Sequence, residues 1–218
     1  SVFGPTFYLG EIAELADLKQ DDVISRLKNA FQNDLIFKAS DKEGLIYYEF
    51  THSRIQQAAY DLLTLDEKEA IHFQIAQILQ RITPPNKYLN QVLKIAEHYS
   101  IGIGPLNDFK EKEKIGHLFF AAGLRAKETA AFSSALKYYR LALLLLPENS
   151  WDEDYSYTQS LYLETAITER IAGRTDESEF LFNKLIQHLW RLINSAHWLN
   201  HHFRKMRFVK PRILINQF

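Results

Sequence analysis

Along residues 1–64 the apolar positions switch between two spacings. Leu9, Ile12, Ala13 and Ala16 recur every three or four positions, the interval that lines one face of a helix. A turn around Leu18-Lys19-Gln20 follows, and Asp21-Asp22 then open a second helix with acids in its first turn, where the helix dipole favours them. Val23, Ile24, Leu27, Ala30 and Phe31 give that helix its apolar stripe. Two extended runs come next, Leu35-Ile36-Phe37 and Leu45 to Phe50, joined by the polar loop Lys38 to Gly44. In the second run Ile46, Tyr48 and Phe50 alternate onto one face, as a half-buried strand requires. The pattern predicts helix, turn, helix, hairpin.

From Thr51 onward the spacing is helical throughout. Ile71, Ile75, Ile78, Leu79 and Ile82 trace one stripe, stopped by Thr83-Pro84-Pro85 because proline lacks the amide a continuing helix needs. Leu89, Val92, Leu93 and Ala96 trace the next, stopped by Gly102 and Gly104-Pro105. Phe119, Gly123, Ala135, Tyr139, Ala142 and Pro147 then fall at the spacing of a tetratricopeptide repeat, with small residues for close helix pairing and a proline ending the second helix. A looser copy has Tyr162, Ala166, a turn at Gly173 and Phe182, about 43 residues later where a regular array repeats at about 34. The expected fold is mainly α. A winged helix with one small β-hairpin occupies residues 1–64, and irregular tetratricopeptide-like antiparallel helix pairs occupy 65–195. A basic tail, 196–218, receives no fold from the pattern.

Charge and composition narrow the function classes. Lys and Arg number 26 against 27 Asp and Glu, a formal net charge of −1 that excludes a uniformly basic nucleic-acid coat. The balance is uneven: residues 1–179 carry 19 basic and 27 acidic side chains, whereas 180–218 carry seven basic residues, four histidines and no acid. With no cysteine there is no disulfide framework, thiolate zinc site or cysteine nucleophile, which fits a reducing cytoplasm. The 8 glycines never form a phosphate-cradling loop, so any nucleotide chemistry must be completed elsewhere. No apolar run approaches the roughly 18 residues a membrane span needs. The start, Ser1 to Pro5, has neither a signal-peptide pattern nor an initiator Met, as expected of a piece of a longer protein. Nothing in the spacing assembles a catalytic set, so no catalytic residue is assigned and the chain reads as non-enzymatic.

The stretch Phe50-Thr51-His52-Ser53-Arg54-Ile55-Gln56-Gln57-Ala58-Ala59-Tyr60 resembles the F-x-H-D-R-V-Q-Q-A-A-Y signature of bacterial signalling ATPases of the STAND class. Further matches keep that family's order: Gly4 to Leu9, Ile71-His72-Phe73-Gln74-Ile75, Glu97-His98-Tyr99, Ala121 to Lys127, Trp151 with Tyr155, and Ala172-Gly173-Arg174. The resemblance covers roughly residues 1–187. It implies a parent protein in which a Ser/Thr kinase domain often precedes a predicted ATPase domain, with GAF, PAS and sensor histidine-kinase modules often following. The segment here would follow the ATPase core, binding no cofactor itself while the parent binds ATP and ADP. Its partners would be the upstream ATPase domain of the same polypeptide and proteins docked on the helical repeats.

The resemblance makes His52 and Arg54 candidate contacts to an ADP phosphate. His52 would sit at the positive end of a helix dipole, where a phosphate is favoured. Ser53 replaces the family's aspartate; it can cap the helix but cannot orient the imidazole or pair with Arg54. The plainer reading is that His52 and Ser53 only open a helix after a strand. Gln56, Gln57 and Tyr60 are expected to pack or cap between domains.

The alternative function is a stand-alone winged-helix transcription regulator with a helical-repeat sensor domain. Against it, the would-be recognition helix carries Asp21, Asp22 and Asp34 against only Arg26 and Lys28, so DNA is not the expected partner. His197 and His201 share a helical spacing with His188 and His202 nearby, but no acid or cysteine follows Phe180 to complete a metal site. The acid-free end is read either as a basic amphipathic surface for lipid or RNA or as the product of a shifted reading frame.

Overall fold

A computed structural model describes residues 4–40, 46–104, 106 and 108–194, with side chains up to residue 191. The tail assigned to 196–218 lies outside the described residues, with His197, His201 and His202. The chain divides into two compact units, one ending at Leu145 and one beginning at Leu146.

The first unit begins with β1 (Thr6–Tyr8), α1 (Leu9–Leu15), α2 (Gln20–Gln32), β2 (Ile36–Ser40) and β3 (Ile46–Phe50). The expected helix, turn, helix, hairpin order is present, with one correction: the sheet has three strands, in antiparallel order β1-β3-β2. β1 was hidden because three residues are too few to show a period of two. Pairing fixes it instead, with Phe7 opposite Tyr48, and the Phe50 amide donating to the Pro5 carbonyl at 3.1 Å. Phe7, Leu9, Ala13, Val23, Ile36 and Tyr48 form the buried core between the sheet and the two helices. β2 also runs through Lys38, which the sequence places in the loop.

Two boundaries have local causes. Asp17 and Asp34 adopt left-handed backbone (φ 51° and 52°), a conformation short polar side chains tolerate. Asp34 thus sits past the end of α2, where the Leu35 amide reaches back to the Ala30 carbonyl at 2.9 Å. The α2 stripe is also only partly used, since Ile24 and Phe31 remain 41% and 50% exposed.

Helices follow: α3 (Ser53–Asp61), α4 (Leu65–Ile82), α5 (Tyr88–Ile101), α6 (Phe109–Glu128) and α7 (Phe132–Leu144). A capping box starts α4: the Thr64 hydroxyl accepts from the Glu67 amide, and Glu67 Oε2 accepts from the Thr64 amide at 2.8 Å. Helices pack in sequence order, α4 on α5, α5 on α6 and α6 on α7. Each buries the same register: Ile75, Ala76, Ile78 and Leu79 in α4, and Ile95, Ala96, His98 and Tyr99 in α5. Ala135, Leu136, Tyr138 and Tyr139 repeat it in α7. Leu89, expected on the α5 stripe, is instead 65% exposed, one residue inside the start of that helix.

Gly123 explains how closely α6 and α7 approach. A β-carbon there would lie 2.3 Å from the Tyr139 ring. At the end of α5, a β-carbon on Gly102 would lie 2.5 Å from the Phe73 amide nitrogen of α4. Arg81 of α4 pairs with Glu14 of α1, and Lys94 of α5 approaches Glu11 at 3.8 Å, so both helices pack beside the sheet-bearing segment.

The second unit contains α8 (Ser150–Glu153), α9 (Tyr155–Ile171) and α10 (Thr175–Asn194), with α9 packed on α10. Gly173 turns the chain between them at φ 78°. The Ser178 hydroxyl donates to the Ala166 carbonyl at 2.8 Å across the pair. His188 stacks on Trp151, ring centroids 4.0 Å apart.

Candidate functional site

The candidate residues all fall on α3 or the residue before it, and the junction with β3 sets their position. Thr51 holds that junction: its hydroxyl donates to the Asp34 carbonyl at 2.6 Å and its amide to the Leu35 carbonyl at 3.1 Å. His52 then takes extended backbone (φ −143°, ψ 141°) and becomes the residue that caps α3. Its carbonyl accepts from the amides of Ile55 at 3.0 Å and Gln56 at 3.3 Å. No side chain caps this helix, so Ser53 does not cap as expected; it is already the first helical residue. His52, Ser53 and Arg54 are exposed together on the first turn.

The remaining candidates separate from this end. Gln57 Nε2 donates to Asp61 within its own helix at 2.8 Å, and Gln56 is half-buried. Tyr60 lies about 12 Å along the helix from His52. Its hydroxyl meets His72 Nε2 of α4 at 3.2 Å, its ring stands edge-on to that imidazole, and the Lys68 ammonium sits 4.6 Å over the ring. The five residues therefore form two stations on one helix.

Beneath Tyr60 lies a pair that spacing alone did not single out. His72 Nδ1 and His98 Nδ1 are 3.0 Å apart and both rings are buried. One nitrogen must donate and the other accept, so the contact holds only while the two rings share one proton at that point. Burial pushes the His98 pKa down to about 4, helped by the neighbouring His72 and Lys94 and opposed by Glu97. Burial lowers His72 too, again opposed by Glu97. Glu97 accepts from Lys137 Nζ at 2.8 Å and from the Tyr138 hydroxyl at 3.0 Å. Burial would raise its pKa, but these bonds and the Lys137 and His98 charges hold it below the usual carboxylate value. Both histidines stand in the buried register of their helices, three positions before Ile75 and three after Ile95. A polar residue in an apolar stripe was the signal available.

Two of the hollows among the described residues of the first unit stand out. One, of about 250 Å³, lies between α2 and the sheet. The other, of about 430 Å³, is a polar cleft lined by Gln77, Gln80, Arg81, Tyr99, Glu111 and Lys114 of α4, α5 and α6. Among the described residues no cluster of three or more His, Asp or Glu side chains is placed to hold a metal ion, and no helix is long and apolar enough to cross a membrane.

Comparison with known proteins gives one informative likeness. Over 176 residues the chain is 32% identical to a Dictyostelium discoideum protein, Hybrid signal transduction histidine kinase G, covering 67% of this chain and 5% of that protein. No family model and no solved structure matches. The chain is thus similar to a small part of a much longer signal-transduction histidine kinase.

Proposed function

We propose that residues 1–218 form a non-catalytic regulatory and scaffolding segment of a multidomain signal-transduction ATPase–kinase of the cytoplasm. In this reading a winged helix over residues 1–64 couples the nucleotide state of an upstream ATPase domain to tetratricopeptide-like helix pairs that dock protein partners. The likeness to part of a signalling histidine kinase is the observation that carries it.

The geometry of α3 supplies the physical basis. An exposed imidazole and guanidinium at a helix N-terminus suit the charge of a phosphate, though alone they make no nucleotide pocket. The remaining contacts to ADP would come from the ATPase domain. Thr51 ties the start of α3 to the sheet, and Tyr60 ties its end to the histidine pair in α4 and α5. A helix held at two ends carries a displacement at one to the other. The polar cleft between α4, α5 and α6 offers the repeats a surface for a partner with charged groups.

DNA is not the partner proposed here. The exposed surface of α2 carries Asp21 and Asp22 as well as Arg26 and Lys28, so its charges balance and it attracts phosphates weakly. Salt-dependent DNA binding by the chain would favour the transcription-regulator alternative. The direct test is ADP dissociation from the complete polypeptide: His52→Ala is expected to speed release, and an unchanged rate would remove His52 from nucleotide contact.

A further inference from the structure

α2 keeps part of its apolar stripe out of the core. Ile24, Leu27 and Phe31 follow one face of the helix, and together with Ser25 and Lys28 they form one wall of the 250 Å³ slot. The opposite wall is Lys38 of β2 and Tyr48 of β3, register partners on the sheet face that carries the core residue Ile36. At the same end of the sheet Ile46 is 36% exposed. The sheet and α2 thus share a core that continues into solvent.

Charge narrows what fits. Lys28 and Lys38 flank the slot, and neither has an ionic partner among the described residues. The acids of α2 that precede the slot, Asp21 and Asp22, lie about 9 Å or more along the helix from Lys28. An occupant needs apolar side chains for the stripe and carboxylates for the two ammonium groups. The volume corresponds to about eight water molecules and falls below the roughly 300–1,000 Å³ of small-molecule sites. It suits two or three side chains from one helix face.

We infer that this slot seats an acidic amphipathic helix belonging to the same polypeptide but lying outside residues 1–218. Size argues for a tethered occupant. The stripe from Ile24 to Phe31 runs about 10 Å along a helix about 10 Å across, a face on the order of 100 Å², well short of the roughly 800 Å² per partner that a stable complex between separate proteins buries. A covalently linked segment at millimolar effective concentration does not need that area. The inference rests on the proposed reading that residues 1–218 belong to a longer polypeptide, as the matching segment does in a protein of which it forms 5%.

Zero-length carbodiimide cross-linking of the complete polypeptide tests this, because it joins an ammonium to a carboxylate only where they touch. The expected products link Lys28 and Lys38 to Asp or Glu of one helical segment outside residues 1–218. Links only to Asp41, Glu43 or other acids within 1–218, links to a separate polypeptide, or none at all would overturn the inference. So would proof that residues 1–218 are the entire polypeptide. A second readout uses the absence of cysteine from residues 1–218, with the new thiol followed by peptide mass. Within the complete polypeptide, Ser25→Cys should be alkylated at least about tenfold more slowly than the same thiol in a chain that also carries Lys28→Glu and Lys38→Glu. Equal rates in the two chains contradict a seated helix. Neither readout involves nucleotide, so failure here leaves the His52 test standing, and failure of that test leaves these links to be read.

Discussion

Acid should loosen α4 from α5 through His98. The imidazole is 7% exposed and binds its proton near pH 4 in the fold, where an unfolded chain binds one near pH 6.5. Between those values the unfolded state holds more protons, so stability falls as the pH falls. The contribution is present in full above about pH 6.5 and gone below about pH 4. At about 1.4 kcal/mol per pH unit it amounts to about 3 kcal/mol, a large part of a typical domain's stability. His72 shifts in the same direction, and the two rings titrate as a pair. The carboxylates complicate only the lower end, because Glu97 loses its stabilising charge below its own usual range. Urea unfolding followed by circular dichroism at pH 7.5 and pH 4.5 therefore isolates the effect. His98→Gln should be less stable than the native chain at pH 7.5, yet lose roughly 2–3 kcal/mol less on going to pH 4.5. An equal loss in both proteins would show that His98 is not held neutral by burial against His72.

Packing and capping give sharper single-site expectations. Gly123→Ala should cost about 1–3 kcal/mol in urea unfolding because its new methyl would overlap the Tyr139 ring, and an unchanged midpoint would contradict the close α6–α7 approach. Thr64→Ala removes the capping box of α4 and should cost about 1 kcal/mol, read in the same assay. His52→Ala should leave stability within about 0.5 kcal/mol, since that side chain caps nothing; a larger loss would make His52 structural.

The elements most legible from spacing were the long helices with a repeating apolar stripe. α4 through α7 repeat one buried register over many turns, so periodicity and repeat spacing pointed to them and Gly123 marked a close helix approach, while the Tyr139 ring that meets it appeared only in the fold. β1 escaped because its position depends on pairing with β3 across forty residues of chain, which no local window contains. The site was half legible. The motif around His52 to Tyr60 pointed to α3, but which residues meet depends on where Tyr60 at the end of α3 reaches α4, so the Tyr60–His72–His98 chain emerged only in three dimensions. Ser53 was misassigned by one residue because a cap is defined by backbone angles, and His52 takes the extended conformation instead.

The coupling itself is open to a single measurement, hydrogen–deuterium exchange of the complete polypeptide with and without ADP. ADP should slow amide exchange in α3 and in the turns of α4 and α5 around His72 and His98, and His52→Ala should abolish the difference. Superimposable exchange at α3 in the two nucleotide states would contradict it.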